Sequence, residues 1–152
     1  MSDNLGFLIS DITRLIRRTF DKRAKEIGVT RPQWQVLTML MRHEGVNQSE
    51  LAEMLELDAM TLCRMVDRLQ EAQLIERRPD PGDRRAWQLY LTDKATPLMD
   101  KLRPMGEALL QEAMAGIDDR NRELLHDLLD EVRANLRSLD GCDQSGKRAV
   151  HG

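Results

Sequence analysis

The sequence feature that most constrains the fold is one interruption of the hydrophobic period in an otherwise helical chain. Apolar residues recur every three or four positions before residue 72 and again after residue 97, which is the spacing of amphipathic helices. Between these regions lie two short runs, LIERR and AWQLYLT, joined by PDPGD. The second run alternates apolar and polar side chains, so we predict a two-stranded β-hairpin over residues 74–92.

Four helices are predicted before this hairpin. A long helix covers about residues 5–27, and the TRPQ segment is a capping-box pattern that begins a second helix over about residues 31–43. Asn47 and Asp58 can each cap a shorter helix. Because three or four residues separate the two short helices, they predict a helix-turn-helix immediately before the hairpin.

Two further helices are predicted after the hairpin. The first follows Thr92 as its cap and contains Pro97 and Pro104, and we expect a bend at one or both because proline lacks an amide hydrogen. The second begins at Asp118 and carries leucines at helical spacing. The chain therefore combines many helices with one hairpin.

This order of elements predicts a winged helix-turn-helix, which is a mainly α fold with a small antiparallel sheet of two or three strands. We assign residues 31–92 to the winged lobe, residues 1–30 and 93–139 to a helical dimerisation frame, and residues 140–152 to a polar, disordered tail. The apolar stripes on the terminal helices exceed what one small lobe can cover. A symmetric partner would cover them, so we expect a homodimer.

Composition excludes several functional classes. Cys63 and Cys142 lie far apart without a CxxC motif, which argues against a disulfide framework and a zinc site and suits a reducing cytoplasm. The three histidines have no neighbouring nucleophile or metal-ligand spacing, so we predict neither an enzyme nor a cofactor. No apolar run reaches the length of a membrane span, and the first residues show no basic segment followed by an apolar one, so we expect neither a membrane span nor a signal sequence.

Charge is distributed unevenly, although the net charge is only -3. Residues 59–92 contain six basic and five acidic side chains, whereas residues 93–140 contain seven basic and eleven acidic ones. A local set of arginines can dominate binding to phosphate because charge interactions are screened beyond about 10 Å. Arg84 and Arg85, at the hairpin tip, either enter a DNA minor groove or merely solubilise an exposed turn.

The segment LAEMLELDAMTLCRMVDRLQEAQLIERRPDPGDRRAWQLYLTDKA resembles the core of the multiple-antibiotic-resistance regulator (MarR) family, in its SlyA-like branch. The hairpin matches the family's D-x-R-x5-L-T pattern, and the similarity in organisation covers about residues 5–139. The resemblance implies a cytoplasmic, homodimeric transcription regulator, most often a repressor, with two winged lobes on a pseudo-palindromic double-stranded DNA operator. It also implies a ligand pocket between frame and lobe.

The same resemblance assigns DNA-binding residues. Near the start of the recognition helix, Met60, Thr61 and Arg64 would meet base edges, and Arg64 is the candidate for guanine. Residues that would hold phosphates or form the wing contact are Gln48, Ser49, Arg68, Asp83, Arg84 and Arg85. In this set Asp83 is expected both to form the turn and to orient Arg85.

Ligand-binding residues follow from the resemblance as well. In SlyA-like proteins, residues matching Arg14 and Trp34 line a cavity for aromatic carboxylates, and Arg17 and Thr38 are assigned to the same site. The first helix is rich in arginine, so an organic anion would be favoured there. Taken alone, Trp34 is equally interpretable as a core residue.

Two alternatives remain at this point. Cys63, in the recognition helix, is either an inert core thiol or the switch of a redox-responsive regulator, and a ligand-independent regulator is also compatible. A winged helix can also serve as a protein-interaction module.

The sequence departs from the family pattern in two places. Gln73 stands where the family usually ends the recognition helix with glycine, so we expect that helix to end differently. The first helix also lacks the cysteine that marks the family's peroxide sensors.

Overall fold

The computed structural model describes the backbone of residues 4–148 and the side chains of residues 4–141. Within this part of the chain it has six α-helices and one two-stranded antiparallel sheet, which confirms the predicted fold class. The elements are, in order, α1 (Leu5–Glu26), α2 (Arg31–Arg42), α3 (Gln48–Met54), α4 (Ala59–Glu71), β1 (Ile75–Pro79), β2 (Trp87–Leu91), a 3-10 helix (Asp93–Ala95), α5 (Thr96–Ala113) and α6 (Asp119–Arg148).

Most helices begin where a side chain can accept a backbone amide hydrogen. The predicted caps that do so are Thr30, Asn47, Asp58 and Asp118. Thr92 differs, because its hydroxyl donates to the carbonyl of Gln73 at 2.5 Å and caps no helix through its side chain. The prediction that Thr92 caps the long helix is therefore wrong, and a 3-10 helix precedes α5.

Helix α5 contains both prolines. Pro97 is its second residue, where an amide hydrogen would have no partner within the helix. Pro104 lies inside the helix and leaves one carbonyl without its usual donor. A bend at either position stays a prediction.

Helix α6 continues to Arg148, so residues 140–148 are helical and do not form the disordered tail assigned to them. This segment holds no proline, and each of its two glycines, Gly141 and Gly146, costs a helix only about 1 kcal/mol. Polar composition by itself therefore does not end the helix. The rest of the assigned tail, residues 149–152, lies outside the described residues.

The hairpin pairs Ile75 with Leu91, Arg77 with Leu89, and Pro79 with Trp87. A third strand reduces to one isolated antiparallel bridge between Asn47 and Gln88, just before α3. The bridge attaches β2 to the segment between α2 and α3. The hairpin is thereby held against the helix-turn-helix by its second strand.

Helices α3 and α4 both end in left-handed residues other than glycine, Glu56 at φ 54° and Gln73 at φ 63°. After α4, the Leu74 amide donates to the Leu69 carbonyl at 2.9 Å and the Gln73 amide to the Gln70 carbonyl at 2.9 Å. This is the Schellman arrangement that glycine normally closes. The expectation that α4 ends differently because it lacks glycine is therefore wrong. Gln73 adopts the left-handed conformation in place of glycine, although this conformation is strained for a residue with a Cβ atom.

Chain contacts divide the molecule into a unit of residues 1–110 and a unit of residues 111–152. In the first, Phe20 of α1 and Leu102 of α5 belong to the same core as the winged lobe. In the second, Arg122 of α6 donates to the carbonyls of Ile117 and Met114 at 2.7 and 2.9 Å, which satisfies acceptors beyond the end of α5.

None of the described helices is long and apolar enough to cross a bilayer.

Candidate nucleic-acid interface

Helix α4 has one buried face and one face open to solvent. Leu62, Val66 and Leu69 are buried in the core. The outward face carries Met60 and, one turn further on, Arg64, whose Nη2 lies 3.7 Å from the Met60 sulfur. The predicted DNA residues of α4 are all exposed: Met60, Thr61, Arg64 and Arg68. Side chains on this face are accessible to a duplex, as major-groove reading requires.

Thr61 has a local task in addition to the one predicted for it. The Asp58 carboxylate accepts the Thr61 hydroxyl at 2.6 Å and the Thr61 amide at 2.8 Å. These hydrogen bonds lower the pKa of Asp58, so the carboxylate stays ionised at the positive end of the helix dipole. The Thr61 hydroxyl hydrogen is therefore occupied, and its oxygen remains available as an acceptor.

The start of α3 holds the predicted phosphate contacts Gln48 and Ser49. Ser49 is exposed, and its amide donates to the Asn47 side chain at 2.7 Å, so this amide is engaged in the cap. Gln48 is half-buried, and its carboxamide oxygen accepts from the guanidinium of Arg77 at 3.2 Å. The nitrogen of the Gln48 carboxamide carries two hydrogens, and these can be donated to a phosphate oxygen.

The loop between the strands, residues 80–86, is closed by its own aspartates. The Asp80 carboxylate accepts the Gly82 amide at 2.8 Å, and the Asp83 carboxylate accepts the Arg85 amide at 2.9 Å. Such Asx turns stiffen a short loop. Asp83 thus holds the backbone of Arg85, while the side chains of Arg84 and Arg85 are exposed at the tip.

The side chain of Arg78 lies on the outer face of the hairpin and stacks on the ring of Tyr90. Its guanidinium carbon lies 3.9 Å from the ring centroid of Tyr90, and Nη2 lies 3.3 Å from a carboxylate oxygen of Glu76. The Glu76 hydrogen bond raises the pKa of Arg78. Arg78 is therefore held by cation–π and ionic contacts within the hairpin.

Arg77 is one of the six basic residues within residues 59–92, and its internal role was not predicted from the sequence. Its side chain is only 15% exposed and bonds to residues of α3 and α4. A signal was present in the sequence, because alternation puts Arg77 on the same side of β1 as Ile75, which is buried. An arginine at an inward position of a strand indicates internal partners.

The predicted ligand residues line two clefts that share Arg17 and Glu56. A cleft of about 220 Å³ contains Arg17, Trp34 and Thr38 together with Met39, Met54 and Leu55. A second cleft, of about 570 Å³, contains Arg14 and Arg17 with Arg18 and Arg31. The first is partly apolar and the second is rich in guanidinium groups, so the four predicted residues are divided between adjoining spaces.

Trp34 is anchored as a core residue at one edge of the smaller cleft. Its indole Nε1 donates to Asp21 at 2.7 Å, and its ring meets Phe20 edge to face at 4.7 Å. Burial alone would raise the pKa of Asp21, but hydrogen bonds from Arg31 and Trp34 outweigh it and hold the pKa below 3.8. The core and pocket interpretations of Trp34 are therefore compatible.

The comparisons with known proteins agree with this geometry. The MarR family model matches residues 29–87. A relative named "Uncharacterized HTH-type transcriptional regulator YybA", from Bacillus subtilis strain 168, is 29% identical over 148 residues, which cover 92% of this chain and 99% of the relative. These matches include the helix-turn-helix and most of the hairpin.

Solved structures give the same result. A MarR transcriptional regulator from Methanosarcina mazei Go1 is 25% identical, with a TM-score of 0.78 and coverage of 89% of this chain and 97% of that one. The transcriptional regulator PA3341 is 30% identical, with a TM-score of 0.77 and coverage of 89% of this chain and 99% of that one. Residues 29–87 thus match the MarR family model, and the fold is that of the MarR winged-helix transcription regulators, a class that binds DNA and is not enzymatic.

Proposed function

We propose that this protein is a cytoplasmic, homodimeric repressor of the SlyA-like branch, which binds a pseudo-palindromic operator and is released from it by a small organic anion. The observation that carries the proposal is the joint exposure of Arg64 and Arg68 on α4 and of Arg84 and Arg85 at the loop tip. The helix face would read the major groove, and the loop would enter the adjacent minor groove. Two lobes would read half-sites about one helical turn apart.

The proposed contacts divide by chemistry. Arg64 is the candidate for a bidentate contact with guanine, and Met60 and Thr61 would meet neighbouring base edges. Gln48, Ser49 and Arg68 would contact phosphates and set the register. Asp83 acts through the backbone of Arg85, because its carboxylate accepts that amide at 2.9 Å.

Dimerisation is supported by apolar side chains that the single chain leaves exposed. On α1, Leu5, Phe7 and Leu8 are exposed, with Phe7 at 75%. On the part of α6 whose side chains are described, seven large apolar side chains are exposed: Leu124, Leu125, Leu128, Leu129, Val132, Leu136 and Leu139. A second copy is the simplest cover for so much apolar surface on a transcription regulator that binds a two-fold site.

An anionic effector is supported by the two adjoining clefts. The methionines and Trp34 of the smaller cleft suit an aromatic ring, and Arg17, shared by both clefts, suits a carboxylate. A ligand there would lie between α1 and the end of α3 and would alter DNA affinity to the extent that it prefers one lobe position. We place Arg14, Arg17, Trp34 and Thr38 in this site.

The DNA-binding surface is tested by comparing two exposed arginines. Fluorescence anisotropy with a duplex selected from a random-sequence pool should show that Arg85→Ala weakens binding by about tenfold or more and reduces the salt slope by about one ion. Arg120→Ala, on α6, should leave both nearly unchanged. Equal losses for the two variants would exclude the loop as a DNA contact.

The effector site is tested with aromatic carboxylates as probes. Millimolar salicylate or a related ring acid should release the duplex from the wild-type protein, and Arg17→Ala should remove most of the response while keeping DNA affinity. Release that survives Arg17→Ala would place the ligand elsewhere. Release by oxidant, lost in Cys63→Ser, would instead favour the redox-responsive alternative.

A further inference from the structure

The most densely bonded side chain in the winged lobe is that of Arg77 on β1. Its Nε donates to the Gln48 side chain at 3.2 Å, and its Nη1 to the Gln70 side chain at 2.6 Å. Nη1 also lies 2.7 Å from Asp67, and Nη2 donates to the Cys63 carbonyl at 3.4 Å. One guanidinium therefore joins β1 to the first turn of α3 and to three successive turns of α4.

We propose that Arg77 is a positioning residue that sets the direction of the loop tip relative to the recognition helix. This inference rests on the proposed function, since it concerns how Arg84 and Arg85 reach DNA. The Arg77 side chain is largely buried and paired with Asp67, so it is not offered to phosphate. Its role is to connect two surfaces that must meet one duplex at the same time.

The geometry of the guanidinium suits this role. Its five N–H groups point in fixed directions in one plane, so contacts with Gln48, Gln70 and Cys63 define an orientation rather than a distance alone. A lysine at the same place keeps the positive charge but lacks the planar fork. Arg77→Lys therefore removes the orientation while preserving the charge opposite Asp67.

The orientation of β1 at Arg77 matters for binding because a small rotation there produces a larger displacement at the loop tip. The loop tip at Gly82 lies five residues beyond Arg77, of which two continue β1, so the tip is at most about 16 Å away at about 3.3 Å per extended residue. A tilt of about 10° at Arg77 would then move the tip by up to about 3 Å, whereas hydrogen-bond lengths vary over only about 0.5 Å. A small loss of order at Arg77 would thus detach the arginines of the tip from the minor groove.

A double-mutant cycle tests the proposal on the full chain, with the duplex selected by the wild-type protein. Removing both tip arginines, by Arg84→Ala with Arg85→Ala, should weaken binding about thirtyfold in the wild-type background. In the Arg77→Lys background the same removal should cost less than about threefold, because the tip no longer reaches its contact. A loss of stability alone would not change this penalty.

Arg122→Lys is the matched control, since the Arg122 guanidinium is likewise held by several hydrogen bonds, in its case three, to residues 111, 114 and 117. The penalty for removing the tip arginines should stay at its wild-type value in that background. If Arg77→Lys does not fold, Gln70→Ala removes the shortest hydrogen bond of Arg77, at 2.6 Å, and should lower the penalty in the same direction.

The outcomes are distinct. An unchanged penalty in Arg77→Lys overturns the positioning role while the tip contact stands. No penalty in any background overturns both the tip contact and this inference, although α4 still binds DNA. Failure of the wild-type protein to select any duplex overturns the proposed function, and this inference falls with it.

Discussion

The helices of the winged lobe and helix α6 carry the same kind of apolar stripe, but they differ in what covers it. In the lobe, Leu37, Leu40 and Leu62 are fully buried. On α6, Leu128 is 52% exposed and Leu136 is 59% exposed in the single chain. An apolar stripe thus shows that a face needs a cover without showing whether the same chain supplies it.

Helix α1 shows both situations along its length. Near its end, Phe20 and Ala24 are buried in the lobe core. Near its start, Leu5, Phe7 and Leu8 remain exposed. The change along one continuous helix indicates that the uncovered surface is a defined region and does not result from weak packing of a whole element.

The largest expected effect is on the uncovered surface. Leu125→Glu combined with Leu128→Glu should abolish dimerisation, because each charge would be desolvated in the interface. Operator affinity should fall by about a hundredfold to ten-thousandfold, since the two lobes would then bind independently. Sedimentation velocity and anisotropy measure the two effects, and circular dichroism shows whether the lobe stays folded. A wild-type protein that sediments as a monomer would contradict the dimer.

The covered surface should respond in a different way. Leu62→Ala leaves a cavity in a closed core and should lower the free energy of unfolding by about 2 to 5 kcal/mol at every protein concentration. Leu128→Ala, its counterpart on α6, should lower stability in a manner that depends on concentration. Urea unfolding at several concentrations distinguishes them. Concentration dependence in both variants would remove the distinction between the two regions.

Asp21 sharpens the comparison within α1, since it ties the covered half of that helix to Trp34 and Arg31 of α2. Asp21→Asn should lower the free energy of unfolding by about 1 to 2 kcal/mol at neutral pH. Because the folded pKa of Asp21 lies below 3.8, the contribution is present above pH 3.8 and is lost as the pH falls through the folded pKa. Unfolding curves of wild type and variant should converge in acid; curves that stay parallel would contradict the assignment.

The smallest effect is expected at the end of α4. Gln73→Gly should stabilise the lobe by at most about 1 kcal/mol, because glycine relieves the left-handed strain at φ 63°. Part of the gain is offset by loss of the contact between Lys94 Nζ and the Gln73 side chain, at 3.3 Å. Thermal unfolding of Gln73→Gly beside Lys94→Ala separates the two terms. Destabilisation by glycine would mean that the side-chain contact outweighs the strain.

Local signals predicted most of the fold. The capping residues Thr30, Asn47 and Asp58 act on amides two or three positions away, so the starts of α2, α3 and α4 were predictable. The alternation in AWQLYLT predicted β2 for the same reason. Predictions failed where a long-range contact competes, as at Thr92, whose hydroxyl bonds to a residue nineteen positions earlier.

Candidate site residues were predictable to a similar extent. The positions of Arg64 on α4 and of Arg84 and Arg85 at a turn follow from the pattern and the family resemblance. The buried role of Arg77 does not, because its partners come from α3 and α4 and are brought to it by packing. The end of α6 was missed because a polar composition does not itself stop a helix.

The sequence by itself determined the order of helices and strands, their starting points and the faces that need burial, because these depend on interactions within a few residues. Tertiary structure decided which apolar faces are closed within one chain, which arginine is internal, and which residues of α1, α2 and α3 share the clefts. These outcomes depend on distances between segments far apart in sequence, and such distances exist only once the core has packed.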